Sequence, residues 1–358
     1  MILVTGASGF VGNHVVRALI NRGESVRVLV RPSSNLKWLS DLKLDKAVGD
    51  LRDRASLDAA VKGCSMLFHV AADYRFDVSN PDDVYKSNVE GTRNLLEAAG
   101  SAGVRKIVYT STVGCIGFTP DGNANEDSPV SIDMMVGTYK RTKFQAEQVA
   151  LELSKKLPIV IVNPTAPVGE LDSKPTPTGE MIVRFLRGDM PCVIATGLNL
   201  IDVRDCAEGH VLAAEKGRVG ERYILGSRNM TLMEIGQTLA KLTNLKAPFC
   251  HIPYAFAYMA AWFDTKIALA RGKTPGISLE GVRMGKKRMW VKSDKAVREL
   301  GLPQRAPEEA LERAVHWYWQ NNYAPLPKGR AMPPALVLPP LKTAPVSAGV
   351  PDQAGTLN

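Results

Sequence analysis

Tyr139 and Lys143 stand four residues apart in Tyr139-Lys140-Arg141-Thr142-Lys143, a spacing that puts both on one face of a helix. A phenol ordinarily loses its proton at about pH 10. A neighbouring ammonium favours the phenolate, so such a pair can pass a proton to or from a substrate oxygen. The plainer reading is a Tyr and a Lys on the surface of an amphipathic helix. What favours chemistry is the opening of the chain, Val4-Thr5-Gly6-Ala7-Ser8-Gly9-Phe10-Val11-Gly12. Gly6 permits a tight turn, Gly9 lets backbone approach a diphosphate, and Gly12 lets helix and strand pack closely. Free N–H groups where the helix begins, at Phe10 and Val11, favour an anion. Placed between a strand and a helix, this loop is built to hold a dinucleotide.

The second strand should end on a carboxylate if both ribose hydroxyls of NAD are to be held. Here it ends Val30-Arg31-Pro32-Ser33-Ser34. Arg31 suits a 2′-phosphate, with the serine hydroxyls and Lys37 beside it, so NADP is expected over NAD, and NAD stays open. A solvated arginine at a strand end is the alternative. Asp50-Leu51 closes the next strand, where Asp50 is placed to hydrogen-bond an adenine or, alternatively, to cap the helix near Ser56.

These groups need a scaffold that brings them to one edge. Short apolar runs alternate with amphipathic ones through residues 1–165. Strands are expected at Ile2–Thr5, Val26–Val30, Lys46–Gly49, Met66–Val70, Lys106–Thr110 and Ile159–Asn163. Helices are expected at Val11–Asn21, Ser56–Val61, Asp82–Ala99 and Thr138–Ser154. Strands apolar on both faces mean a parallel sheet covered on each side. The expectation is therefore an α/β fold: a Rossmann-type doubly wound parallel sheet in 1–165, to which Arg222–Leu225 could add a strand. A smaller mixed substrate lobe follows in 166–325, with helices at Gly179–Arg187, Asp205–Lys216, Thr231–Leu242 and Leu311–Asn321. The Pro-rich tail 328–358 has few charges and no periodicity, and is expected to be disordered.

The chain has 358 residues, 45% hydrophobic and 23% charged, with 45 Lys+Arg against 36 Asp+Glu and a net charge of +9. That composition excludes a fibrous or mostly disordered chain. Five scattered cysteines without ligand spacing are expected to be reduced, forming neither a disulfide framework nor a metal site. The first strand opens at Ile2, so no leader is expected. The longest apolar run, Ile252–Phe263, is too short to span a bilayer, and a cytoplasmic protein is expected. Tyr254–Ala270 reads as a core or lid helix of the second lobe. A peripheral helix on the inner membrane surface is the alternative, because residues 266–315 hold 12 Lys/Arg and 6 Asp/Glu, leaving 12 − 6 = +6 there. No recognition motif for nucleic acid accompanies this charge, so a small-molecule substrate is expected.

The glycine loop, His69-Val70-Ala71-Ala72, Asn88-Val89-Glu90-Gly91-Thr92, Tyr139 to Lys143 and Asn163-Pro164 fall in this order. With them the chain resembles the extended short-chain dehydrogenase/reductase family, of the NAD-dependent epimerase/dehydratase type, over roughly residues 1–325. It is most similar to the hopanoid-associated sugar epimerase group through Ala72-Asp73-Tyr74-Arg75, residues 174–179 and residues 283–289. Dihydroflavonol reductases and 3β-hydroxysteroid dehydrogenases are related in pattern. The resemblance implies that Thr112 completes a catalytic set with Tyr139 and Lys143, with Ser111 as a fallback. It implies that Ala71, Asn88 and Pro164 join the glycine loop, Arg31, Asp50 and Leu51 around the cofactor. Tyr74, Arg75, Ser111, Asn163 and Arg204 are expected near the substrate, and His69 is expected to be structural. A homodimer paired through two helices of the first lobe is also implied.

Sugar dehydratases of the family carry an Asp-Glu pair directly after the catalytic threonine, whereas here Val113-Gly114 follows Thr112, so elimination is not expected. A nucleotide-sugar epimerase is ranked first, with Lys174, Arg184, Arg187 and Arg204 as candidates for the diphosphate. An NADPH-dependent carbonyl reductase is second. A non-catalytic NADP-binding sensor is disfavoured, because Thr112, Tyr139 and Lys143 are all present.

Overall fold

The computed structural model describes residues 1–72, 81–119, 123–271, 279–286, 288–327, 329, 331–334 and 336. Tyr74, Arg75 and most of the tail from 328 lie outside the described residues. The chain opens with β1 (Ile2–Thr5), α1 (Phe10–Asn21), β2 (Val26–Val30), β3 (Asp45–Val48), α2 (Arg54–Val61) and β4 (Met66–His69). It continues through α3 (Pro81–Tyr85), α4 (Gly91–Ser101), β5 (Lys106–Thr110), α5 (Gly137–Leu153) and β6 (Ile159–Pro164). The second half adds β7 (Ala166–Val168), α6 (Pro177–Arg187), β8 (Cys192–Ile194), β9 (Gly197–Asp202), α7 (Val203–Lys216), β10 (Arg222–Leu225) and β11 (Arg228–Thr231). It closes with α8 (Leu232–Thr243), β12 (Cys250–Ile252), α9 (Tyr254–Ala270), α10 (Leu279–Met284), α11 (Asp294–Leu300) and α12 (Pro307–Gln320).

Seven strands form one parallel sheet in the order β10-β6-β5-β4-β1-β2-β3. The fold is a Rossmann-type doubly wound α/β sheet, and Arg222–Leu225 supplies its seventh strand. One face packs Val15, Leu19 and Val211 of α1 and α7 against Val28 and Tyr223. The other packs Leu57, Leu95 and Ala146 of α2, α4 and α5 against Ile107 and Ile161. Strand order reverses between β1 and β4, so a crevice opens beyond the carboxyl ends of these strands. A third core joins α6, α8 and α12 around Ile182, Phe185, Leu239 and Leu311, beside a small sheet β11-β9-β7 and a pair β12-β8.

Three expectations are corrected. The single helix over Asp82–Ala99 is interrupted by a π turn at Lys86–Glu90; just beyond it α4 passes close to the loop after β3, where a Cβ on Gly91 would lie 2.8 Å from Leu51 Cβ. Cys192 and Cys250 are not reduced but form a disulfide. They stand opposite one another in the register of β8 and β12, although their 58-residue separation gave no signal. Cys64, Cys115 and Cys206 are free and buried. Finally, α9 buries only one side, around Ala261 and Ala268, leaving Phe256, Met259, Trp262, Phe263 and Ile267 exposed; of the core-or-lid reading, the core half does not hold.

Candidate active site

At the crevice, the first turn after β1 is shaped by glycine. Gly6 has φ 73°, and a Cβ there would lie 2.6 Å from the Ala71 nitrogen. A Cβ on Gly12 would overlap the Gly6 carbonyl. Gly9 closes the turn, its N–H donating to the Gly6 carbonyl at 2.9 Å. It also caps α1 without a side chain, and no acidic residue follows in the first turn. Phe10 and Val11 thus begin a helix whose end is left for an anion, and this cradle fits a dinucleotide diphosphate. Ala71 sits across the loop, its N–H donating to Thr5 Oγ1 at 3.2 Å.

The ends of β2 and β3 line a groove of about 520 Å³ made by Arg31, Pro32, Ser33, Gly49, Asp50, Arg52 and Ser56, among others. Arg52 was missed by the sequence reading, although it follows directly on Asp50-Leu51. Its Nε donates to Asp50 Oδ1 at 3.0 Å, and this contact holds the Asp50 carboxyl below the usual carboxylate range. Asp50 does not cap α2; Asp53 does, accepting from the Ala55 N–H at 3.1 Å. Leu51 turns away to pack on Gly91. The groove is therefore flanked by two guanidinium groups, Arg31 and Arg52.

The reacting end lies where β4, β5 and β6 terminate. Val136 caps α5 without a side-chain bond, and Tyr139 stands half-buried on the first turn. One turn on, Lys143 is 2% exposed. Its Nζ donates to the Thr110 carbonyl at 2.7 Å and to Tyr109 Oη at 3.2 Å. Burial lowers this ammonium to about 8. Burial also pushes the Tyr109 phenol well above its ordinary value, so Tyr109 remains a hydroxyl. Thr112 leaves β5 as the cap of a short turn, Oγ1 accepting from the Gly114 N–H at 3.2 Å.

A second layer fixes this edge. Asn163, at the end of β6 beside Pro164, donates through Nδ2 to the Thr112 carbonyl at 3.0 Å and to Glu147 Oε2 at 2.7 Å. Glu147 pairs with Arg222 of β10 at 3.2 Å. Tyr109, Glu147 and Arg222 are missing from the sequence reading. Glu147 had a signal: with Tyr139 and Lys143 it repeats every four residues along α5. The π turn carries Asn88 inward to donate to Thr142 Oγ1 at 3.2 Å. His69 is held between Thr5 Oγ1 at 2.8 Å and Thr92 Oγ1 at 3.0 Å, and burial lowers it to about 3, so it is a neutral strut. Ser111 is buried on the exit of β5.

The structure thus brings together the glycine loop, Ala71, Asn88, Thr112, Tyr139, Lys143, Asn163 and Pro164. Arg204 is not free for a ligand. Its Nε donates to Glu170 Oε1 at 2.7 Å, within a buried cluster that includes Arg313 and Asp202.

A doubly wound sheet with a glycine-cradled helix start and a Tyr–Lys pair beyond β5 defines a nucleotide-dependent enzyme of the extended short-chain dehydrogenase/reductase kind. The chain belongs to the NAD dependent epimerase/dehydratase family, whose model matches residues 2–226. It is 45% identical over 326 residues to a candidate dihydroflavonol 4-reductase of Synechocystis sp., covering 89% of this chain and 95% of that relative. It is 36% identical over 323 residues to sterol demethylase protein B of Methylococcus capsulatus, covering 89% of this chain and 98% of the relative. Among solved structures it is similar to a nucleoside-diphosphate-sugar epimerase from Pseudomonas aeruginosa: 27% identity, TM-score 0.75, 90% of this chain and 99% of that one. The protein is therefore an NAD(P)-dependent oxidoreductase or epimerase.

Proposed function

We propose that the protein is an NADPH-dependent reductase of a carbonyl group on a largely apolar small molecule, rather than the sugar-nucleotide epimerase ranked first on sequence. The observation that carries this reading is the neutralisation of Arg204 by buried Glu170. A substrate diphosphate needs free cations in the second lobe. Of the four candidates, Arg204 is paired with Glu170 and Arg187 donates to the Tyr323 carbonyl at 2.7 Å, which leaves Lys174 and Arg184 as the cations a diphosphate would have to use. Arg31 and Arg52 flank the adenosine groove and suit the 2′-phosphate of the cofactor that a reductase consumes. The reductase and sterol-related names of the similar proteins support an apolar substrate, and a hopanoid-type polycyclic carbonyl compound is one such class.

The reduced nicotinamide, when bound, supplies the hydride. Tyr139 donates its phenolic proton to the carbonyl oxygen as that oxygen gains charge, and Thr112 Oγ1 hydrogen-bonds the same oxygen. Lys143 stabilises the phenolate left behind. Val113 and Gly114 stand where dehydratases carry acids, so no elimination is assigned. The likeness to a sugar epimerase keeps epimerisation as the second reading.

One panel separates the two. Purified protein is offered aldehydes, polycyclic ketones and nucleotide sugars with NADPH. The proposal expects one NADP+ formed per carbonyl reduced, and a loss of about 10²- to 10⁴-fold in kcat in Tyr139→Phe with nearly unchanged cofactor affinity. Epimerised sugar with no net cofactor oxidation overturns it, as does undiminished turnover in Tyr139→Phe.

A further inference from the structure

α9 takes no part in the site described above. Its seventeen residues carry two charges, Asp264 and Lys266. Ala261 and Ala268 face inward, and Tyr254 and Tyr258 stack on one another with ring centroids 6.1 Å apart. The other side is a stripe: Phe256 is 62% exposed, Met259 48%, Trp262 41%, Phe263 58% and Ile267 48%. Positions 256, 259, 263 and 267 follow the helical repeat, and 262 flanks them, so the five form one continuous face. Single exposed hydrophobics are ordinary. Five of the thirteen large ones exposed among the described residues lie within twelve positions of this helix, which makes a patch that a partner must explain.

The charge around the patch has one sign. Lys266 is exposed beside it, 5.7 Å from the Trp262 ring centroid, and Arg271 is exposed at the helix end. Arg283, Lys286 and Arg288 are exposed on the segment that follows, and Arg283 donates back to Tyr258 Oη at 3.3 Å. Residues 254–288 hold seven Lys/Arg and two Asp/Glu, so 7 − 2 = +5. Asp264 is half-buried rather than on the stripe.

We propose that α9 is an interfacial helix that docks the protein onto an anionic lipid bilayer. The aromatic and aliphatic stripe enters the boundary between headgroups and acyl chains, and the cations meet lipid phosphates. No helix among the described residues is long and apolar enough to cross a membrane, so the contact is peripheral. A second copy of this chain is the poorer occupant. Symmetric pairing of two such stripes would bring Lys266 and Arg271 of both copies together with only half-buried Asp264 to offset them.

The full-length protein is sedimented with phosphatidylcholine vesicles and with vesicles rich in phosphatidylglycerol, at low and high salt. The proposal expects binding to the anionic vesicles that weakens with salt. It expects at least tenfold weaker partition in the double variant Trp262→Ser, Phe263→Ser, and roughly fivefold weaker partition for each of Lys266→Gln and Arg271→Gln. Cofactor affinity and turnover of a water-soluble substrate should be unchanged in all variants, which guards against misfolding. Failure to bind anionic vesicles overturns the proposal, as does binding indifferent to the Trp262 and Phe263 changes. A dimer in solution that dissociates in the same double variant, without vesicle binding, assigns the stripe to a second copy instead.

Discussion

Replacing Lys143 with Met keeps the length of the stem and removes one buried charge, so the difference between the two proteins isolates one titration. In the folded protein the ammonium is lowered from 10.5 to about 8 by burial. Below about 8 both folded and unfolded chains carry the proton, and the full cost of burying the charge stands. Between about 8 and 10.5 the unfolded chain binds more protons than the folded one, so wild-type stability rises with pH across that window. One site with these two values contributes about 2 kcal/mol of added stability between about pH 7 and pH 9.5. Lys143→Met lacks this contribution. Its stability relative to wild type should therefore fall by about 2 kcal/mol over the same interval, whatever the constant offset from losing the bonds to Thr110 and Tyr109. Urea unfolding at several pH values, followed by far-ultraviolet circular dichroism, measures both proteins; other groups that titrate in the interval cancel in the difference. A difference between the two that stays constant from pH 7 to 9.5 would refute the buried, depressed ammonium. The same variant should lose most of its turnover, because the Tyr139 phenolate would have no cation beside it.

Arg31→Ala should weaken NADPH binding by about 10- to 100-fold while leaving NADH nearly unaffected, as read by fluorescence titration; equal losses for both would remove Arg31 from the 2′-phosphate. Asp172 is buried with Thr176 and Tyr318 donating to one of its oxygens, and burial raises it to about 6. The folded form then binds more protons than the unfolded chain between its unfolded value of 3.8 and about 6. Stability should therefore fall by about 3 kcal/mol as pH rises through that window, and Asp172→Asn should flatten the fall; equal slopes in the two proteins would contradict it.

What the sequence disclosed is local, and what it hid is long-range. The glycine loop announces itself by its spacing between a strand and a helix: Gly9 and Gly12 answer to the nearby Gly6 backbone, although Gly6 also answers to the distant Ala71. Helical periodicity puts Tyr139 and Lys143 on one face, and the glycine loop upstream is what marks that face as chemical. Arg222–Leu225 was legible as a short run that could add a strand, and β10 did join the main sheet. The disulfide was not legible, because Cys192 and Cys250 meet only through the parallel pairing of two three-residue strands. Asp82–Ala99 is amphipathic throughout, and nothing local in it marks the π turn that carries Asn88 inward. For α9 the sequence left core, lid and membrane-surface readings open, because periodicity reports how apolar a helix is, while its burial depends on what the fold places beside it; the exposed side excludes only the core.

Arg204 shows the same limit at the site itself. Read along the chain, an arginine after β9 is a candidate ligand for an anion. In the folded protein Glu170 is 1% exposed, and its burial alone would raise its carboxyl. His14, Arg204 and Arg313 reverse that and hold it far below its ordinary range. Arg313 bridges onward from Glu170 to Asp202, and Asp202 caps α7 by accepting from the Arg204 N–H at 2.9 Å. His14 belongs to α1, one turn beyond the glycine loop, with Nε2 3.6 Å from Glu170, and Phe10 lies edge-on to its ring at 5.5 Å. The cluster therefore fastens the first turn of the cofactor helix to the loop after β7, to α7 and to α12. Removing one partner from such a buried set leaves an uncompensated charge and is strongly destabilising, so Arg204 acts in this cluster as a structural partner of Glu170. Arg204, one of the four cations considered for a sugar diphosphate, is thus engaged in the cluster that braces the helix after the glycine loop.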